Sequence, residues 1–284
     1  MKDQKYEGFK AGIEIHQRLN THKLFCNCES RISESKPKKI IERFLRPVAG
    51  ETGEIDRAAL FESFRNRKFR YLCYPEETCL VEMDEEPPHD VNHEALKIAI
   101  QVAKMLHCDI PDEIQFMRKI VIDGSNTSGF QRTAIIGMNG FLRTSQGIVR
   151  ITNVSLEEEA AQIIEKRGDI VTYGLDRLGI PLVEIGTAPD LKNPKHVRET
   201  AEKIGMLLRS TGRVQRGIGT IRQDVNISIP GGARVEIKGV QDLRNMEKIV
   251  EGEVERQRNL LRIIDVLKDR TIGSEGPVDV THIF

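Results

Sequence analysis

Two polar residues in an apolar run, Glu14 and His16, are the side chains of this sequence best placed to do chemistry. They lie two positions apart in the string GIEIHQRL, and side chains alternate between faces along a β-strand. Ile13 and Ile15 therefore point to one face of the predicted strand, and Glu14 and His16 point to the other. A carboxylate beside an imidazole on a rigid strand can form half of a metal site or an acid–base pair. The alternative is an ordinary half-buried strand whose polar face meets water, which gives the same alternation.

The same alternation recurs in three later segments, whose polar faces carry residue types that bind Mg²⁺ and phosphate. These residues are Glu184 in PLVEIG, Arg222, Asp224 and Asn226 in IRQDVNISI, and Glu236 and Lys238 in RVEIKGV. If the strands share a sheet, its polar face is an anionic cluster edged with cations, which suits a metal-bound nucleoside triphosphate. Neither a GxxxxGK[ST] loop nor a GxGxxG turn after a strand is present, so this is not a P-loop or Rossmann nucleotide site.

Composition limits the class of protein. The formal net charge is zero, so a nucleic acid would have to be held by local basic patches. No apolar run approaches the ~20 residues of a membrane span, and the first ten residues are too polar for a secretory signal. Five cysteines, an odd number, fit a reducing compartment better than a disulfide framework. We therefore expect a cytoplasmic globular protein that does not contact a membrane.

The polar residues must be positioned by strands in the middle of the chain, with helices on either side. We predict strands over 9–19, 70–88 and 147–161, and helices over 56–67, 92–107, 193–212 and 242–266. Residues 33–43 are rich in Lys, Glu and Ser and predict a loop or a charged helix. This order predicts an α+β fold, with a mostly antiparallel sheet flanked by helices.

A ten-residue segment, DGSNTSGFQR, separates two apolar runs that resemble a hairpin. Ten residues are many for a hairpin connection, and long loops often carry function. We expect this loop to close over a substrate, with Arg118, Lys119 and Arg132 meeting phosphates. The alternative is a mobile surface hairpin with no such role.

Nine strings, taken together and in order, resemble a known family. They are GIEIHQRL, LFCNC, LRPVAGETGE, DEEPP, MRKIVIDGSNTSGFQR, VSLEEEAA, RLGIPLVEIGTAPD, GTIRQDVNISI and RVEIKGVQ, and they run collinearly from residue 12 to about 241. The chain resembles the E subunits of archaeal glutamyl-tRNA(Gln) amidotransferases and, more distantly, the bacterial B subunits. The resemblance implies the cradle domain of those subunits over residues 1–266, followed over 267–284 by a linker and the start of an inserted domain.

The resemblance also implies a reaction. Such a subunit uses ATP and Mg²⁺ to phosphorylate the γ-carboxylate of glutamate on Glu-tRNA(Gln). Ammonia from an asparaginase-like D subunit then displaces the phosphate, giving Gln-tRNA(Gln) within a heteromeric enzyme. Two alternatives remain: a non-catalytic scaffold that docks the tRNA and the partner, and a Mg²⁺-dependent ligase that joins an amine to a small carboxylate.

Matching the family's motifs residue by residue assigns roles to this sequence. The metal ligands would be Glu14, His16, Glu184 and at least one of Glu157 and Glu158, the carboxylates of the VSLEEEAA motif. Arg222 and Asp224 would join Glu14, His16 and Glu184 in catalysis. ATP or substrate would contact the remaining candidates, which are Lys119, Arg132, Asn226, Glu236 and Lys238. For Glu236 and Lys238, an ion pair within the sheet is the alternative.

The cysteines suggest a second metal. The bacterial relatives pair a CxC with a CxxC for zinc, and here Cys26 and Cys28 are followed by Cys73 and Cys79. These four thiols could bind one structural Zn²⁺, or one pair could simply be buried thiols, because the later pair is more widely spaced than usual. Cys108 is not expected to be a ligand.

Overall fold

The computed structural model describes residues 4–50, 52–270, 279 and 281. Within these residues a short 3-10 helix at Gln4–Tyr6 precedes two β-sheets and four α-helices. The strands are β1 (Lys10–Arg18), β2 (Lys39–Phe44), β3 (Lys68–Cys73), β4 (Met117–Ile120), β5 (Phe130–Thr144), β6 (Gly147–Glu158), β7 (Gln162–Arg167), β8 (Ile170–Gly174), β9 (Pro181–Thr187), β10 (Ile221–Ser228) and β11 (Val235–Ile237). The helices are α1 (Arg57–Ser63), α2 (His93–Met105), α3 (Pro194–Ser210) and α4 (Leu243–Asp269).

The larger sheet has seven strands in the order β11-β10-β1-β9-β6-β5-β4, and each neighbouring pair is antiparallel. The smaller sheet has the order β2-β3-β8-β7, and its central pair, β3 and β8, is parallel. The predicted α+β fold with a mostly antiparallel sheet and flanking helices is therefore confirmed. In the larger sheet, β1 lies between β10 and β9.

Three helices cover one face of the larger sheet. Ile13 and Ile15 of β1 are buried in one continuous core with Ala99 of α2, Ile204 of α3 and Val250 of α4. Alternate residues of the strand must point away from this core, to the opposite face of the sheet. The apolar face predicted from the sequence is thus the helix-covered face, and the polar residues are left on the other.

The predicted starts of two helices are confirmed by their caps. The side chain of Asn92 accepts a hydrogen bond from the backbone N–H of Ala95, at 3.0 Å, and begins α2. The side chain of Asn193 accepts one from His196, at 2.9 Å, and begins α3. An N-cap oxygen satisfies an N–H group that has no partner within the helix, which is why these two asparagines fix the boundaries.

Two predictions of secondary structure were wrong. Residues 33–43 were predicted as loop or charged helix, but residues 39–43 belong to β2, because pairing with β3 supplies backbone hydrogen bonds that the local composition does not reveal. The strand predicted over 70–88 ends at Cys73, because Pro75 cannot donate to a sheet and the chain turns instead.

The last helix extends past the predicted end of the domain. We placed that boundary after Val266, but α4 continues to Asp269. Of the predicted linker over 267–284, residues 271–278, 280 and 282–284 lie outside the described residues.

Candidate functional site

The register of the larger sheet gathers the predicted ligands on one face. It places Glu184 of β9 directly opposite His16 of β1, and Asp224 of β10 opposite Glu14. The Nε2 atom of His16 lies 3.4 Å from the Oε2 atom of Glu184. One ligand atom each from Glu14, His16 and Glu184 can be chosen so that all three lie within 4.8 Å of one another. These three side chains are therefore close enough to hold a single ion.

The crowding of carboxylates shifts their protonation. Burial and the neighbouring Glu184 raise the pKa of Glu14 to about 7. Burial acts in the same direction on Glu184, but the hydrogen bond and charge of His16 outweigh it and hold the pKa of Glu184 at about 2. A divalent cation between these groups would offset the repulsion of the carboxylates, and oxygen ligands with one imidazole fit Mg²⁺ or Mn²⁺.

Glu157 of β6 adds a further carboxylate to this cluster. Its side chain is buried, and within the described part of the chain its Oε2 atom has no hydrogen-bond partner. The Nζ atom of Lys119 lies 3.7 Å from that oxygen and 4.0 Å from Oε2 of Glu184. A buried carboxylate oxygen without a hydrogen-bond donor is costly unless a cation meets it. This oxygen is the observation that best fits a metal ion beside Glu184.

Glu158 and Arg132 lie on the opposite face of the sheet. Glu158, a predicted metal ligand, and Arg132, a predicted phosphate contact, are therefore both away from the acidic cluster. Consecutive strand residues point to opposite faces, so Glu158 cannot accompany Glu157. Instead, the Nη1 atom of Arg132 donates to both Glu158 oxygens, at 3.1 and 3.2 Å, and its guanidinium stacks on the rings of Phe25 and Phe130. The ion pair of Arg132 and Glu158 therefore stabilises the fold on the face away from the acidic cluster.

Arg222 takes part in a cluster that the sequence analysis missed. It is paired with His16 in the strand register, and its guanidinium contacts the buried carboxylate of Glu159. Arg18 also contacts Glu159, and the Nε atom of Arg177 lies 3.7 Å from it. Three guanidinium groups around one carboxylate leave net positive charge beside the acidic cluster. The alternation of side chains along β1 predicts that Arg18, two residues after His16, lies on the same face of the sheet.

The last two strands add a second set of donors around Glu14. Ligand atoms of Glu14, Asp224 and Glu236 can also be chosen within 4.8 Å of one another. The Nζ atom of Lys238 lies 3.2 Å from Glu236 and 3.6 Å from Asp224. The hydrogen bond to Glu236 raises the pKa of Lys238. Lys238 therefore stays charged, and the ion pair considered for Glu236 and Lys238 is present at the edge of the site.

Asn226 lies beside an open space next to Glu14. A cavity of about 280 Å³ is lined by both residues and by others of β1 and β9. Two glycines keep it open: a Cβ atom on Gly186 would lie 2.7 Å from Asn153, and one on Gly12 would lie 3.1 Å from a backbone oxygen. The strand face thus offers room for a bound group beside the acidic cluster.

The loop within DGSNTSGFQR is fastened to the smaller sheet. The hydroxyl of Tyr71 donates to the carbonyl of Gly124 at 2.8 Å, and that of Tyr173 donates to the carbonyl of Asp123 at 2.6 Å. Thr127 donates to the carbonyl of Glu82 at 2.8 Å. The structure therefore shows an anchored segment where we predicted a lid.

The cations beside this loop are divided between the faces. Lys119 points to the acidic cluster. Arg118 is opposite Arg132 in the β4–β5 register and lies over the ring of Phe130, so it shares the other face. The predicted group of three phosphate-binding cations is thus reduced to Lys119.

Three cysteines and a glutamate form a separate cluster. Ligand atoms of Cys26, Cys28, Cys79 and Glu82 all lie within 4.8 Å of one another. Cys73, a predicted ligand, is instead buried in the apolar core of the smaller sheet, because it lies on the inward side of β3. Glu82 takes the fourth place, three residues after Cys79.

The chemistry of this donor set fits a metal. Hydrogen bonds from Cys26 and Cys28 lower the pKa of Cys79, which favours a thiolate, and the backbone N–H of Cys79 donates to Glu82 at 2.9 Å. Thiolates are the preferred ligands of structural zinc. Cys108 is not in the group.

A search of the described helices finds none with the length and apolarity needed to cross a membrane.

Comparison with known proteins gives a family and several relatives. A family model described as the GatB/GatE catalytic domain matches residues 9–282. The chain is 57% identical to a protein named as the E subunit of glutamyl-tRNA(Gln) amidotransferase from Methanocaldococcus jannaschii, over 98% of this chain and 44% of that protein. A protein of the same name from Archaeoglobus fulgidus is 56% identical, over 100% of this chain and 47% of that protein. Another, from Natronomonas pharaonis, is 54% identical, over 98% of this chain and 45% of that protein. The chain spans about half the length of these curated relatives.

Proposed function

Because the chain belongs to the GatB/GatE catalytic domain family, we propose that its polar strand face is the carboxylate-activating site of a tRNA-dependent amidotransferase. The substrates would be ATP and the γ-carboxylate of glutamate on Glu-tRNA(Gln). The product of the site would be an acyl phosphate, which ammonia converts to the amide of Gln-tRNA(Gln). The observation that carries this proposal is the convergence of Glu14, His16 and Glu184 on one face of the sheet, with Lys119 between Glu184 and the buried Glu157.

The residues present suit this chemistry. A carboxylate is a poor electrophile, and transfer of a phosphoryl group to it brings two anions together. Glu14, His16, Glu157 and Glu184 would hold Mg²⁺, which supplies charge neutralisation and orients the phosphates when bound. Lys119 on one side and the net positive cluster around Arg222 on the other would meet the phosphate oxygens. The cavity beside Asn226 gives the substrate room next to Glu14.

The partners follow from the same reaction. The ammonia must come from an amide-hydrolysing protein, which we propose is an asparaginase-like D subunit in a heteromeric complex. Because its substrate would be an aminoacyl-tRNA of translation, we propose a cytoplasmic location.

Glu14→Gln tests the proposal, because it keeps the shape of the side chain and removes one charge from the metal site. Two readouts are needed. Mn²⁺ affinity of the chain, measured by electron paramagnetic resonance, should fall at least about tenfold, as expected when a hard cation loses a carboxylate ligand. The γ-glutamyl hydroxamate, trapped with hydroxylamine from Glu-tRNA(Gln) and ATP in the assembled enzyme, should be lost; the α-hydroxamate, which hydroxylamine forms directly from the aminoacyl ester, should not change.

The control is Glu202→Gln, an exposed residue on α3, which should change neither readout. Full hydroxamate formation by Glu14→Gln would contradict the proposal and favour the scaffold alternative. Hydroxamate formation from free glutamate, without tRNA, would favour the small-molecule ligase.

We also propose that Cys26, Cys28, Cys79 and Glu82 hold a structural Zn²⁺. Elemental analysis of chain purified without chelator should find close to one equivalent of zinc. Cys79→Ser should abolish it, whereas Cys73→Ser, outside the cluster, should not. Less than about a tenth of an equivalent in the parent chain, with these thiols free to titrate, would rule the site out.

A further inference from the structure

A cavity of about 550 Å³, separate from the polar strand face, lies between the smaller sheet and the anchored loop. Its walls are residues 42–46 and 48 of β2 and the turn after it, the aromatic residues Phe69 and Tyr71, the carboxylates Asp84 and Glu85, and residues 126–129 of the loop. The proposed reaction uses none of these groups. The cavity is large enough for a nucleotide, since ligand sites typically begin at about 300 Å³.

One polar group in this wall is buried and has no partner. Asn126 is 3% exposed, and within the described residues its Oδ1 atom accepts no hydrogen bond. A buried amide oxygen without a donor costs about 1–3 kcal/mol. Asn126 lines the cavity, so a rotation of its side chain would bring this oxygen to a ligand N–H group, such as the edge of a nucleobase.

An exposed aromatic ring stands at the same cavity. Phe44, at the end of β2, is 57% exposed although it is a large apolar side chain. Rings of this kind receive unpaired bases by stacking, which is tolerant of base identity.

The charges of the lining leave one cation free. Arg43 is paired with Glu85 and lies 3.9 Å from Asp84, and Glu42 is paired with Arg70. Arg46, by contrast, is exposed and has no ion pair among the residues described. The carboxylates that line the cavity are thus each in an ion pair with a cation. Arg46 is therefore available to bind an anion.

The surroundings favour a polyanion over a single nucleotide. Between residues 36 and 70 the sequence has ten lysines and arginines against five carboxylates, in a chain whose net charge is zero. A local basic segment with exposed aromatic rings is the footprint of single-stranded nucleic acid.

We propose that this cavity binds an unpaired nucleotide of an RNA strand, with the base against Phe44 and Asn126 and a phosphate at Arg46. The site is separate from the polar strand face, and its test does not depend on the carboxylate-activating function. Free ATP offers the same nucleotide chemistry, so the experiment must distinguish the two sources.

The test is fluorescence anisotropy of a labelled single-stranded RNA dodecamer with the 284-residue chain, over a series of salt concentrations. Phe44→Ala should raise the Kd by about 5- to 150-fold, the range that one base–aromatic stack supplies. Arg46→Gln should weaken binding and reduce the slope of log K against log salt by about 0.7, the loss of one phosphate contact. Both residues are exposed, so neither change should unfold the chain.

Two controls separate the cavity from the basic surface in general. Phe64→Ala removes a ring that is 72% exposed, and Arg57→Gln removes an exposed cation, both outside the cavity lining. Each should change the Kd less than about twofold. Equal losses in the controls, or no effect of Phe44→Ala and Arg46→Gln, would overturn the proposal. Displacement of the RNA by stoichiometric ATP, with the same dependence on Phe44, would overturn the choice of RNA and assign the cavity to free nucleotide.

Discussion

Arg132 and Lys119 test the division of the larger sheet into two faces, because the sequence placed both at phosphate and the structure separates them. The Glu158 side chain is 6% exposed and that of Arg132 is 16% exposed. Arg132 donates to Glu158 from its backbone N–H at 3.2 Å as well as from Nη1. Replacing Arg132 by Met would leave a buried carboxylate without its cation.

The expected cost is about 3–5 kcal/mol, the range for breaking a buried ion pair by removing one partner. For a domain of this size that corresponds to a fall in Tm of roughly 6–20 °C. Burial already raises the pKa of Glu158, and loss of Arg132 would raise it further. Because the folded-state pKa then lies further above the unfolded value of about 4.3, the deficit should grow as the pH rises above that value. In the double variant with Glu158→Gln no charge is stranded, so its deficit should be smaller than that of Arg132→Met alone.

Urea unfolding followed by circular dichroism measures the stabilities, and calorimetric titration measures ATP binding. The control is Lys119→Met, whose side chain is 57% exposed. It should cost less than about 1 kcal/mol, as exposed ion pairs do, while weakening ATP binding. An Arg132→Met chain as stable as the parent but unable to bind ATP would refute the assignment of Arg132 to the structural face.

Three further predictions follow from packing and burial. Gly140→Ala should destabilise the chain by about 1–3 kcal/mol, because the new Cβ would lie 2.5 Å from a backbone oxygen. Gly205→Ala should instead stabilise it by up to about 1 kcal/mol, because the space around this residue of α3 is open. Urea unfolding measures both changes in the free energy of unfolding. Burial lowers the pKa of His196, so its folded-state pKa lies below the unfolded value of about 6.5 and stability is lost as the pH falls through about 6.5. His196→Gln should therefore show a shallower loss of stability between about pH 6.5 and 5.5, and an equal slope would contradict the assignment. Tyr71→Phe combined with Tyr173→Phe removes both hydroxyl bonds to the loop, and should speed hydrogen exchange of the loop amides while leaving those of α3 unchanged; uniform exchange rates would argue against local anchoring.

The sequence by itself determined the local features of this protein. The period of two in GIEIHQRL and IRQDVNISI predicted which side chains face the core, because a strand has no other way to separate apolar from polar residues. Asn193 predicted a helix start for a similarly local reason, since a cap acts within three residues. The same alternation singled out Glu14, His16 and Glu184, and the nine family strings assigned them to a metal site.

Only the tertiary structure decided which of these residues meet. Strand register places Glu184 opposite His16, although the two are far apart in the chain, and no local pattern encodes that pairing. Alternation within the strand predicts that Glu157 and Glu158 face opposite sides, but only the structure shows that Glu157 lies beside Lys119 at the acidic cluster and Glu158 beside Arg132. Glu82, for which the sequence analysis predicted no role, takes the place expected for Cys73, because the backbone brings Glu82 and not Cys73 to the other three ligands. Local periodicity fixes the side of a strand that a residue occupies, whereas long-range pairing, which costs chain entropy and is decided by the whole core, fixes its neighbours.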